Sequence, residues 1–274
     1  MSRPASPLTE TPAAAAFSRQ SAHFDSTYGS NDIIAYKRAR VRAATVRWLR
    51  PGSRILELNA GTGEDALYLA GQGHRVHATD LSTGMLEALG RKVRAAGAGD
   101  SVTWEQCSFE ALDGLQHRGP FDHLFSNFGG LNCTGDLPSV LRQASVLLRP
   151  GGTATLVIIP PFCLWETLLL FKGEFRTALR RFFSHGGRTA TIDGLPFTCW
   201  YYSPRAVRRM VAEEFDVLDL EGLCTLVPPS YRERFPQRWP RLYRILQRLE
   251  DRFKSSRPWR GIGDYFIITL RKKS

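Results

Sequence analysis

The 274-residue sequence has no stretch of eighteen uncharged apolar residues, so no membrane-spanning helix is expected. Its first thirty residues are rich in alanine and proline but lack an apolar segment ending in a small-residue cleavage site, which argues against a secretory leader. Cysteine is sparse: five residues, at 107, 133, 163, 199 and 224, with no Cys-x-x-Cys pair. An odd, scattered set offers neither a disulfide framework nor a zinc site. Reduced thiols, a cytoplasmic location and no bound metal are the expectations. No internal repeat is visible. Residues 1–20, dominated by Ala, Pro, Ser and Thr, have little to bury and are expected to be disordered.

What is plentiful is arginine, and its distribution is uneven. The formal charge is +11. Residues 1–54 carry nine basic and three acidic side chains, residues 55–224 fifteen and nineteen, and residues 225–261 ten and three. A mildly acidic centre is therefore flanked by basic segments. Such flanks suit an anionic substrate, a peripheral membrane contact or nucleic acid; a solvated arginine-rich surface is the plain alternative.

The densest information lies in Ile55 to Ala66, Ile-Leu-Glu-Leu-Asn-Ala-Gly-Thr-Gly-Glu-Asp-Ala, with Asp80 closing the next apolar run. An apolar strand enters a glycine turn, and a helix begins with two acids. Glycines let the backbone turn tightly and leave room for a ligand against it. An acid at the tip of a second strand can accept hydrogen bonds from a ribose diol. Gly61-x-Gly63-x-x-Ala66 nominally meets the dinucleotide fingerprint, with Asp80 near the usual offset of about twenty residues. A pyrophosphate at that helix start would, however, face Glu57, Glu64 and Asp65. A cationic cofactor without phosphate suits the charge better.

The stretch resembles motif I of the class I S-adenosylmethionine-dependent methyltransferases. The resemblance extends to Phe121–Phe128 as strand four and to Leu147-Leu148-Arg149-Pro150-Gly151-Gly152 before strand five, and is weaker over residues 203–272. It implies S-adenosyl-L-methionine as cofactor, held by Glu57, Asn59, Ala60, Gly61, Gly63, Asp80, Leu81, Ser108, Phe109 and Asn127. Asn59 stands where the family often has glycine; asparagine tolerates the left-handed backbone a turn needs there. Ser108 and Phe109 stand where many members carry an acid near the adenine. Ser126-Asn127-Phe128-Gly129 replaces the Asn/Asp-Pro-Pro-Tyr/Phe signature of amino-methylating members, which argues against a nucleobase amino group as acceptor.

Short strands alternate with helices, the pattern of a parallel sheet covered on both faces. With the resemblance, this gives an α/β, Rossmann-like, doubly wound and mostly parallel seven-stranded sheet with a terminal antiparallel strand. Residues 21–274 form one domain in this reading, with cover segments at about 21–50, 160–202 and 225–261 packed over the acceptor site. A single helical run is expected over residues 168–183, and a helix after Ser203-Pro204 by its capping signature.

The acceptor should lie above the carboxyl ends of strands four and five. Candidates to contact it are Asn132, Trp165, Tyr201 and Tyr202, and candidates to act on it are His23, Tyr28 and Glu166. For the aromatic residues, simple packing of the insertions is the competing reading. His77 and His123, inside strands, read as packed. The function expected is methyl transfer from S-adenosylmethionine, by O- or N-methylation, to a small or lipid-like acceptor that suits an anionic group. The alternatives are an RNA or protein methyltransferase using the basic flanks, a non-catalytic S-adenosylmethionine-binding or interaction protein, and a nucleotide-dependent oxidoreductase.

Overall fold

Five apolar runs supply the parallel strands: β1 (Arg54–Leu58), β2 (Arg75–Asp80), β3 (Val102–Gln106), β4 (Phe121–Ser126) and β5 (Leu148–Ile158). A computed structural model describes residues 10–182 and 186–274. Beyond β5 come a small hairpin, β6 (Arg188–Ile192) and β7 (Leu195–Cys199), then β8 (Phe215–Leu223) and β9 (Tyr265–Lys272). The main sheet runs β3-β2-β1-β4-β5-β9-β8. All neighbours are parallel except that β9 is antiparallel to both β5 and β8. This is the expected mostly parallel seven-stranded, Rossmann-like sheet with its last strand reversed.

Alternate residues of each strand feed two cores. Leu56, Leu124, Leu156 and Ile268 bury on one face. Ile55, Phe125, Val157 and Ile267 bury on the other, with Leu69 and Leu89 from the helices. Burial on both faces is why these strands read as nearly continuous apolar runs. The helices are α1 (Pro12–Gln20), α2 (Phe24–Tyr28), α3 (Asp32–Val46), α4 (Glu64–Gly71), α5 (Thr83–Ala95), α6 (Leu137–Leu147), α7 (Leu164–Thr167), α8 (Phe175–Leu179), α9 (Pro204–Met210), α10 (Phe235–Arg238) and α11 (Pro240–Phe253). The Ser203 side chain accepts the Ala206 N–H at the start of α9, with Pro204 in the first turn, the cap its sequence specifies.

Two segments differ from expectation. Residues 12–20 are not disordered; they form α1, whose Thr11 side chain accepts the Ala14 N–H ahead of Pro12. Residues 1–9 lie outside the described part. The helix gains its partners from afar: Phe17 meets Phe197 of β7 at 6.0 Å between ring centroids, and the Glu10 carboxylate accepts from Thr83 N–H at 2.9 Å and from the Thr83 and Ser18 hydroxyls. The run expected as one helix over 168–183 is instead a 3-10 turn, Leu168–Lys172, directly after α7, and then α8, because Gly173 takes φ +76° between the two. Residue 183 lies outside the described part.

The insertion 225–261, expected to pack with segments 21–50 and 160–202 over the acceptor site, follows β8, the sheet edge opposite β3. It packs on α3, where Asn31 donates to the Ser230 carbonyl at 3.0 Å, Gln237 to Asp32 at 2.8 Å, and Tyr243 meets Tyr36. Glu250 of α11 anchors it: its buried carboxylate accepts the backbone N–H groups of Cys224, Thr225, Leu226 and Val227 at 2.7–3.1 Å.

Candidate cofactor cleft

The carboxyl ends of β1, β2 and β4 lie abreast, with Glu57 opposite Ala78 and Leu58 opposite Ser126. Above them opens a cleft of about 1050 Å³, continuous with solvent. The turn after β1 forms its floor. Asn59 takes φ +48° and Gly61 φ +56°. The asparagine side chain also ties two strand ends together, donating to the Asn127 carbonyl at 3.0 Å and accepting from the Ser126 hydroxyl at 2.6 Å. A Cβ built on Gly61 would meet nothing within 4 Å, so this glycine presents bare backbone to the cleft.

Asp80 is held by the same turn. One carboxylate oxygen accepts the Gly61 N–H and the other the Ser82 N–H, each at 2.9 Å. Burial pushes its carboxyl up, against the lowering by these N–H donors. The Leu81 N–H donates to the carboxylate as well, which leaves lone-pair capacity for a further donor.

Glu57 is buried, and its Oε2 has no hydrogen-bond partner. Burial first, then the nearby Asp65, pushes its carboxyl well above the usual range, with Arg38 and Arg42 opposing. A buried carboxyl oxygen without a partner is costly, and Glu57 lines the cleft. A ligand carrying an ammonium or another donor would satisfy it.

The charge argument at the helix start needs correction. Asp65 receives Arg42 at 2.7 Å, Asn127 at 2.8 Å and Arg38 at 3.4 Å, and Glu64 pairs with Lys92 at 2.6 Å. These acids are largely neutralised, so repulsion of a diphosphate is weaker than the sequence alone suggests. The missed signal is the basic series Arg38 and Arg42, one helical turn apart on α3.

Of the ten residues expected to hold a cofactor, Glu57, Asn59, Ala60, Gly61, Asp80, Leu81, Ser108, Phe109 and Asn127 line the cleft. Gly63 does not. Its φ is +80° and a Cβ there would stand 2.7 Å from Leu89, so it serves helix packing. The lining also includes residues the sequence did not single out: Thr11, Ala13, Ala14 and Phe17 from α1 and its cap, with Arg38, Met85, Glu110 and Cys133. Thr11-Pro12 carries the same cap-and-proline signature as Ser203-Pro204, and it was the available signal for α1.

The residues proposed to act on the acceptor are not brought together there. Glu166 is buried and gripped by Arg180 and Arg181, with contacts of 2.5–3.0 Å, which leaves no free lone pair facing the cleft. His23 pairs with Asp193 of the hairpin turn at 3.1 Å. The Tyr28 hydroxyl accepts from Gln20 at 3.1 Å, and its ring borders a second cleft with Arg38, Arg42 and Tyr68. Asn132 is consumed by backbone: it donates to the carbonyls of Ile159 and Trp200 and accepts the Ile159 N–H. The Tyr202 hydroxyl donates to the Thr134 carbonyl at 2.5 Å. Trp165 stacks edge-on with Phe235, and Tyr201 lies under Arg181. For these aromatics, packing of the insertions prevails. Among the described residues lining the cleft there is no histidine and no tyrosine.

Comparison with known proteins converges on one domain. A family model described as a methyltransferase domain matches residues 55–152. The 2-phytyl-1,4-naphtoquinone methyltransferase of Synechococcus elongatus is 30% identical over 135 residues, 46% of this chain and 56% of that protein. The chain thus spans little more than half of that relative. The tRNA 5-carboxymethoxyuridine methyltransferase of Escherichia coli is 26% identical over 220 residues, 80% of each chain. Among solved structures, the DhpI–SAH complex superposes with a TM-score of 0.57 at 17% identity, covering 96% of both chains. An S-adenosylmethionine-dependent methyltransferase from Mesorhizobium loti gives a TM-score of 0.54 at 17% identity, covering 84% of this chain and 96% of that one. Likeness at such identity concerns the fold.

Proposed function

We propose that the chain is a class I S-adenosylmethionine-dependent methyltransferase and that it transfers a methyl group to a small or lipid-like acceptor. The observation that carries this reading is the combined cradle of Gly61, Asp80 and the unpartnered Glu57 above the first strands. It fits a ligand with both a diol and a cationic amino-acid end. When bound, S-adenosylmethionine supplies a methyl group activated on a sulfonium.

The chain's own residues then do four things. Asp80 accepts the ribose hydroxyls. Glu57 and Asn127 receive the ammonium, with Arg38 beside them for the carboxylate. Leu81, Met85, Ser108 and Phe109 flank the base. Residues Ala13, Ala14 and Phe17 of α1 roof the cleft and exclude water, so acceptor and methyl group meet in a fixed arrangement. Such positioning is worth about 7–11 kcal/mol in favourable cases.

The lack of histidine and tyrosine in the lining bears on the acceptor. Cys133 is pushed up to about 12, chiefly by burial, so it is a poor proton acceptor at neutral pH. With Asp80 and Glu57 engaged by the cofactor in this reading, and Glu64 and Asp65 paired to basic groups, Glu110 is, among the described lining residues, the carboxylate left to take a proton. An acceptor atom that is nucleophilic without help also suits the cleft: a carboxylate oxygen, a thiolate or an acidic carbon or phenol. A carboxylate oxygen would make the reaction O-methylation. An RNA acceptor is the second reading, favoured by the basic flanks and by the 80% coverage of the tRNA-modifying relative.

Calorimetry with S-adenosylmethionine, its demethylated product and NAD tests the cofactor. Binding of the first two is expected, and Asp80→Ala should weaken it by about 1.5–3 kcal/mol, the worth of hydrogen bonds to a charged acceptor. Tight NAD binding without S-adenosylmethionine heat would overturn the reading. Mass spectrometry of cell extract treated with isotopically labelled S-adenosylmethionine then identifies the acceptor, and label appearing in RNA alone would favour the second reading.

A further inference from the structure

Helix α11 turns an apolar stripe toward solvent instead of the core. Leu242, Ile245 and Leu249 are 44%, 50% and 39% exposed, and their spacing puts them on one side of the helix. The buried contacts of α11 come from a neighbouring side, through Tyr243 and Glu250. On its other flank stand Arg241, Arg244, Arg248 and Arg252, all exposed. The helix thus has three faces: one anchored, one apolar and open, one basic.

The first insertion also exposes apolar side chains. Phe171 is 88% exposed and Phe175 61%. The two insertions that carry these features are joined where Trp165 meets Phe235 at 6.4 Å between ring centroids. Among the described residues, neither insertion lines the cofactor cleft.

We propose that α11 docks on a bilayer surface containing anionic phospholipid, with Phe171 and Phe175 of the first insertion as further apolar contacts. An anionic bilayer uses both open faces at once. Its headgroups attract the arginines, and its acyl boundary receives the leucine and isoleucine side chains. A nucleic acid would use the arginines but gain nothing from an aliphatic stripe, since it is recognised by phosphate contacts and base stacking. A second copy of the chain would bring one segment with ten basic and three acidic side chains against another, and like charges oppose such contact. The inference stands apart from the methyl-transfer reading, because no cleft residue takes part in it.

Sedimentation of the full chain with vesicles tests it, using phosphatidylcholine alone and phosphatidylcholine mixed with phosphatidylglycerol. Binding to the mixed vesicles should exceed binding to the neutral ones at least tenfold and fall with added salt. The triple variant Leu242→Ser, Ile245→Ser, Leu249→Ser should lose at least tenfold in binding, and Arg244→Ser about fivefold. Urea midpoints check that the variants fold. Phe171→Ser, at a nearly bare position, serves as an independent variant and should also weaken binding. The proposal is overturned by absent or equal binding to the two vesicle types, or by a folded triple variant that binds like the native chain. It is equally overturned if tRNA, and not vesicles, binds in an arginine-dependent way, or if sedimentation velocity shows a dimer that the triple variant dissociates.

Discussion

Gly61 and Gly63 look interchangeable in the sequence, yet their surroundings differ. Both have positive φ, so any β-branched replacement is strained. Beyond that strain, a Cβ on Gly61 enters the open cleft, whereas one on Gly63 enters the Leu89 side chain at 2.7 Å. Gly61→Val should therefore abolish S-adenosylmethionine binding while the chain still folds. Gly63→Val should lower stability by about 1–3 kcal/mol through overpacking, with cofactor affinity lost only as the fold is lost. Urea melts and calorimetry on both variants separate the two effects; equal stability losses would refute the distinction. The motif thus reveals that the turn needs two glycines, but not which one faces a ligand. The same limit applies to Glu166 and Asn132: a polar residue at the right strand end reads alike whether it meets a ligand or other protein groups. Glu57 is the contrary case, since an acid next to the end of an apolar strand has no local partner to claim it.

At the level of elements, what is local in the sequence was legible and what depends on distant partners was not. The strands β1 to β5 and helices α4 to α6 follow from apolar runs and capping residues within each segment. The hairpin β6–β7 and helix α1 do not, because each is marginal alone and is stabilised by the other: a nine-residue helix is short of the length at which isolated helices persist. The position of the second insertion depended on strand order, which puts β8 at the far edge from β3. The mutual dependence of α1 and the hairpin has a consequence. Phe17→Ala removes the ring that meets Phe197 and roofs the cleft. It should leave global stability nearly unchanged, raise hydrogen exchange in residues 12–20 and 188–199 together, and weaken S-adenosylmethionine binding several-fold. Faster exchange in α1 without change in the hairpin would show that the two do not act as one cover.

At the scale of the molecule, several buried charges of the described residues meet at joints between elements, and such groups set how stability responds to acid. One joint ties α3 to the insertion and the last strand. Lys37 reaches Asp264 at 2.7 Å, and Arg181 bridges Asp264 and Glu166. Burial alone would raise the Asp264 carboxyl, but Lys37 and Arg181 prevail and hold it at about 2. Its folded value lies below the ordinary 3.8, so this contribution is complete above that pH and is lost only as pH falls toward about 2. The joint therefore survives mild acid. His123 behaves differently. It lies wholly buried in β4, with Nδ1 2.7 Å from the Thr153 hydroxyl and Nε2 without a partner. Burial, with a smaller contribution from His74, depresses it from 6.5 to about 3. Between those values the unfolded chain takes up a proton that the folded chain refuses. Stability should then fall as pH drops below about 6.5, by about 1.4 kcal/mol per pH unit for this one group. Urea melts at pH 6.5, 5.5 and 4.5 should show that decline, and His123→Gln, which carries no titratable group, should flatten it by about 1 kcal/mol per unit. Parallel pH dependences in the variant and the native chain would show that the proton is taken up elsewhere, with His74 and His77, also depressed mainly by burial, the next positions to substitute.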